Sequence, residues 1–158
     1  MQGHPQIIEL LNNVLRMELT GINQYFLHAK MCDSWGYQVL AKAILEESID
    51  EMKHADKVIE RILFLDGRPN LSSADRINIG SNVRQQFEND LALERAALQI
   101  LNPGVKLCGE LQDTGSRELL ERITVDEERH VGWIEAQLHK IGELGYEHYL
   151  AEQIYEKS

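Results

Sequence analysis

Six residues with metal-binding side chains recur in this chain at matched spacing. Glu18, Glu51 and His54 are followed 76 residues later by Glu94, Glu127 and His130 (18 to 94, 51 to 127, 54 to 130). Each triplet is a lone Glu and then a Glu-x-x-His. In a chain with 26 acidic residues and 6 His, one Glu-x-x-His is a common accident. Its repetition behind a Glu at the same distance is not. On a helix the two donors of Glu-x-x-His project from one face, three residues apart. Four carboxylates and two imidazoles brought together would suit two divalent cations, whose charges cancel those of the carboxylates. Mixed oxygen and nitrogen donors fit iron or manganese; zinc would bind but could not exchange electrons, so iron is the expectation.

The elements that must position these donors are helices. Pro5 is a favoured first helical residue, and Ile7, Leu11, Val14, Ile22, Tyr25 and Ala29 follow at helical spacing, with Glu18 in the missing place. This predicts a helix over 5–34. After a break at Asp33-Ser34-Trp35-Gly36, a stripe through Leu40, Ile44, Glu47, Glu51, His54, Val58 and Ile62 predicts a second over 36–65, stopped by Asp66-Gly67-Arg68-Pro69. Residues 66–80 are rich in turn formers, and such a length is what a crossover along the whole bundle needs. Ser81 or Asn82 can cap a third helix, 82–111, carrying Val83, Phe87, Glu94 and Leu98. Asp113 or Thr114 can start a fourth, 114–142, with Leu120, Ile123, Glu127, His130, Ile134 and Ile141. A short amphipathic tail, 146–155, follows Gly142 and Gly145. Pro103 lacks the amide that would bond to Gln99, costs about 3 kcal/mol inside a helix, and predicts a kink or break there.

All six donors fall where Leu or Ile would continue an inward stripe. Taken singly, each Glu reads as a solvated face or a buried salt bridge and each His as a hydrogen-bonded core residue. Taken together, unpaired in a core, they would cost several kcal/mol each, and metal binding resolves that. Tyr25, seven residues from Glu18, is placed either to donate to a ligand carboxylate or simply to pack. A Glu from each of two helices with Glu-x-x-His from each of two others is the donor set of ferritin-like di-iron and di-manganese bundles. The predicted fold is therefore all-α: a single ferritin-like di-iron domain, 1–158, built as an antiparallel four-helix bundle with one long crossover and a short C-terminal fifth helix.

Composition agrees with one domain: 158 residues, 43% hydrophobic, 3 Pro. Cys32 and Cys108 are isolated thiols without CxxC spacing, which argues against a disulfide framework or zinc ribbon and fits a reducing cytoplasm. No apolar run approaches the ~20 residues of a membrane span, and the opening MQGHPQIIEL lacks the basic and apolar regions of an export signal. A net charge of −10 disfavours nucleic acid as a partner and favours cations.

The chain resembles the bacterioferritins from end to end, through INQYFLHA at 22–29, ESIDEMKHAD at 47–56, RILFLDGRPNL at 61–71, DEERH at 126–130 and the Tyr-Leu pair at 149–150. The resemblance implies a cytoplasmic 24-subunit shell built from two-fold dimers, storing ferric mineral, with 146–155 as the fifth helix at the four-fold axis. It implies that Glu18, Glu51, His54, Glu94, Glu127 and His130 are ferroxidase ligands of a di-iron centre, Glu51 and Glu127 bridging, which oxidises Fe(II) with O2 or H2O2. It further implies that Met52 ligates haem b shared between two subunits, and that a bacterioferritin-associated ferredoxin delivers electrons for iron release. Some members build mixed shells with a second bacterioferritin subunit. The chain departs from the pattern at Glu46, where a His is common near a proposed inner iron position; Asp50 is kept.

Rival readings make different demands. A haem-binding structural shell subunit with an idle dinuclear site would lack a ligand, and all six are present. A rubrerythrin-like peroxidase would need CxxC pairs. Ordinary ferritins generally lack the second Glu-x-x-His and the Met. A helical cytokine would leave four buried Glu without counter-charge.

Overall fold

The computed structural model describes residues 1–154. It contains α1 (Pro5–Ser34), α2 (Gln38–Phe64), α3 (Val83–Glu110), α4 (Thr114–Leu144) and the short α5 (Tyr146–Ala151). Local chemistry sets these limits. The His4 side chain accepts from the Gln6 amide ahead of Pro5, and Asn82 and Asp113 accept from Gln85 and Ser116, so each caps its helix by satisfying an otherwise orphaned donor. Gly36, at φ +90°, takes the left-handed conformation that ends α1 and turns the chain into α2, which begins at Gln38 rather than 36.

α1 packs along α2, and α3 along α4, giving two hairpins that meet through α1 with α3 and α2 with α4. Their apolar stripes form two clusters. One gathers Leu11, Val14, Val58, Ile62, Leu101 and Leu120; the other gathers Tyr25, Ile44, Phe87, Ile134, Ile141 and Tyr149. Burying a Leu or Ile side chain contributes about 1.5–3 kcal/mol, so the clusters hold the helices in place while the polar positions interrupting each stripe lie between them.

The crossover is fastened to α1 by a row of side chains along one face of the helix. Asn12 donates to the Arg68 carbonyl and accepts from the Asn70 amide, and Thr20 Oγ1 accepts from the Asp75 amide. Gln24 Oε1 accepts from the Asn78 amide and His28 Nε2 from the Gly80 amide. Backbone groups of a segment without regular structure are thereby satisfied.

Two expectations change. Pro103 does not break α3, which is helical through Glu110. Both Pro103 and Gln99 are exposed, so the carbonyl left without its amide partner faces water, and no buried bond is lost. The tail helix ends at Ala151, not 155; Glu152 and Gln153 form a turn whose Gln153 carbonyl accepts from the Val39 amide, and residue 155 lies outside the described residues. Tyr149 anchors the tail, fully buried, with its hydroxyl donating to Gln137 Oε1 at 2.8 Å.

Candidate metal centre

Between the two apolar clusters, the six donors named from sequence converge in two overlapping groups. One comprises Glu18 from α1, Glu51 and His54 from α2 and Glu127 from α4; the other comprises Glu94 from α3 with Glu127 and His130 from α4. Within each group the ligand atoms lie within 4.8 Å of one another. Glu127 belongs to both. Glu51 stands in the first group, beside Glu18 and His54.

Distances show how the groups face each other. His54 Nδ1 stands 3.1 Å from Glu127 Oε1, 3.4 Å from Glu18 Oε2 and 3.7 Å from Glu51 Oε1. His130 Nδ1 stands 3.0 Å from Glu94 Oε1, which also accepts from the Tyr25 hydroxyl. The His130 ring is held edge-on by Tyr25, at 5.2 Å between centroids, and stacked by Trp133 at 6.1 Å. Gly21 makes room in α1: a Cβ there would lie 3.0 Å from Glu51 Oε2.

Among the described residues, six buried side-chain polar atoms have no hydrogen-bond partner, and five are here: Glu18 Oε2, His54 Nδ1, Glu94 Oε2 and both oxygens of Glu127. The sixth, Arg16 Nε, is still 3.4 Å from Asp75. An unsatisfied buried carboxylate costs several kcal/mol, and one concentrated set of such atoms is what a pair of cations would complete. The donor set therefore fits two divalent metals.

Electrostatics say the same. Burial pushes the carboxyls of Glu18, Glu51 and Glu94 well above the usual range, with neighbouring carboxylates adding to it, and pushes Glu127 up to about 7. Burial pulls His54 down, but the close approach of the Glu127 carboxylate, the charge of Glu51 and the hydrogen-bond contact with Asp126 outweigh that and bring it up to about 9. A cation in the cluster favours the ionised carboxylates and displaces the imidazole proton.

Two residues near the site were not picked out as functional from sequence. Asp126 Oδ2 lies 3.0 Å from His54 Nε2, and Glu47 Oε2 lies 3.4 Å from His130 Nδ1. The legible signals were modest: Asp126 directly precedes Glu127, and Glu47 sits on the inward stripe of α2. Met52 is 59% exposed on α2, away from the donors, and Glu46 and Asp50 are also exposed, outside both groups.

Comparison with known proteins agrees with this fold. The ferritin family's profile, a ferritin-like domain, matches residues 8–144. Bacterioferritin BfrA of Mycobacterium tuberculosis is 50% identical over 152 residues, 96% of each chain. Bacterioferritin of Brucella melitensis is 42% identical over 149 residues, 94% of this chain and 92% of that one. The solved structure of Mycobacterium tuberculosis BfrA superposes with a TM-score of 0.97 at 49% identity, covering 98% of both chains. With the helical order, the crossover and the paired donor groups already in place, these likenesses show that the chain belongs to the bacterioferritins, within the ferritin-like family.

Proposed function

We propose that this protein is a ferroxidase and iron store: it oxidises Fe(II) at the paired donor groups and deposits ferric mineral inside a shell of 24 copies. The observation that carries this is the convergence of Glu18, Glu51, His54, Glu94, Glu127 and His130 with five unpartnered buried donor atoms among them. Membership of the bacterioferritins supports the storage role.

Fe(II) is the substrate. Two ions bound in groups that share Glu127 can together supply two electrons, so O2 with two protons becomes H2O2, or H2O2 with two protons becomes two waters, while two Fe(II) become two Fe(III). Delivering both electrons from one site keeps one-electron oxygen products scarce. The carboxylates stabilise the higher charge of the oxidised ions, as hard oxygen donors do. Tyr25 holds Glu94, and the Tyr25 and Trp133 rings hold His130, so these donors are positioned before the ions arrive. Replacing Glu94 and Glu127 together by Ala is expected to abolish fast iron oxidation and leave a particle of several hundred kilodaltons. Wild-type oxidation in that variant would remove the site assignment.

Met52 is proposed as a haem b ligand at a two-fold interface. Its thioether is exposed and Ile49, three residues earlier on the same face of α2, is 46% exposed, a surface suited to an apolar ring shared with a second copy. Haem there would accept electrons from a ferredoxin and support reductive release. Met52→Leu is expected to lose the haem absorption band after reconstitution with haem; a full band would exclude Met52. The buried free thiols Cys32 and Cys108 suit the cytoplasm, and among the described residues no helix is long and apolar enough to cross a membrane.

A further inference from the structure

The two imidazoles of the centre are held by different means. His130 is gripped by aromatic rings, and among the described residues no carboxylate hydrogen-bonds to its Nε2. His54 instead has Asp126 Oδ2 3.0 Å from Nε2, and Asp126 Oδ1 accepts from Arg129 Nη2 at 2.9 Å. An ionised carboxylate only accepts hydrogen bonds, so the ring hydrogen at this contact sits on Nε2. That leaves Nδ1, which is buried without a partner and faces the oxygens of Glu18, Glu51 and Glu127, as the nitrogen free to donate its lone pair to a cation.

Building on the dinuclear reading above, we propose that Asp126 is a positioning residue for one metal position only. It fixes the tautomer and orientation of His54, so that the group of Glu18, Glu51, His54 and Glu127 holds its ion more tightly than the group of Glu94, Glu127 and His130. Carboxylates in this role behind a ligating His typically change metal affinity by about ten- to hundredfold. Arg129 orients Asp126 from the surface; the pair is solvent-exposed, at 74% and 42%, so its own effect is small.

Asp126 is accessible and outside the apolar clusters, so it can be replaced without opening the core. Stepwise anaerobic titration with Co(II), followed by visible absorbance and calorimetry, reads the two positions separately. Wild type is expected to take two ions per chain, and His54→Ala identifies which step belongs to the His54 position. Asp126→Ala should weaken that step alone by about ten- to hundredfold. Asp126→Asn, whose amide oxygen still accepts from Nε2, should stay close to wild type. Unchanged steps in Asp126→Ala, equal weakening of both, or an Asn variant as weak as the Ala variant would each overturn the proposal. A wild-type protein that does not take two ions would instead remove the dinuclear reading on which it rests.

Discussion

Asp90 and Glu94 stand one turn apart on α3, both buried, in opposite surroundings. Asp90 Oδ1 accepts from Gln24 Nε2 at 2.8 Å and from His28 Nδ1 at 2.9 Å. His28 Nε2 and Gln24 Oε1 in turn accept from the crossover amides of Gly80 and Asn78. Glu94 has one oxygen met by Tyr25 and His130 and the other met by nothing. The first cluster is closed within the protein and serves structure. The second is open by one set of atoms, and a cation can close it. Burial of an acid beside a His therefore does not mark a ligand; unmet bonding capacity does.

Removing the acid from the closed cluster should have the largest effect on stability. Asp90→Ala strands Gln24 Nε2 and His28 Nδ1 and is expected to cost on the order of 3 kcal/mol. Thermal midpoints should fall equally with chelator and with saturating Mn(II). Recovery with metal would erase the distinction between the clusters.

The open cluster should respond to pH instead. Glu127, raised from 4.5 to about 7, takes up its proton more readily folded than unfolded. Its contribution is present below the unfolded value and lost as pH rises through 7. His54 acts in the same direction: raised to about 9, its contribution is present below 6.5 and lost through 9. With chelator, the midpoint should drop between pH 5 and 9, less steeply in Glu127→Gln, whereas Mn(II) should flatten the drop by taking the place of protons. Equal slopes in wild type and Glu127→Gln would rule this out.

Gly21→Ala should give the smallest change. A helix-interior Gly costs about 1 kcal/mol relative to Ala, so the chelated variant should melt at or above wild type. Yet the new Cβ meets Glu51 Oε2 at 3.0 Å and must displace it slightly, which should slow iron oxidation several-fold. An unchanged rate would mean that Gly21 is not there to admit Glu51.

Much of this was legible in the chain. The inward stripes carry the helices, and the six donors show themselves because each replaces an aliphatic residue at a position the stripe demands. The closed cluster was not legible. Asn12, Arg16, Thr20, Gln24 and His28 form a polar row that reads as a solvated helix face, because nothing local reveals that the crossover lies on it. Asp126 was hidden for a related reason: its partner, His54, is 72 residues away on another helix. The break that Pro103 allowed for does not occur, because the cost of a helical proline depends on whether the freed carbonyl is buried, which composition does not disclose.

The double membership of Glu127 has one further consequence. A carboxylate common to two groups makes their occupancies thermodynamically linked. By whatever factor the first ion alters affinity for the second, the second must alter affinity for the first. On the proposed dinuclear reading, a change in charge on either ion would be felt by its neighbour through that side chain, so filling, oxidation and departure would be coupled events and not independent ones.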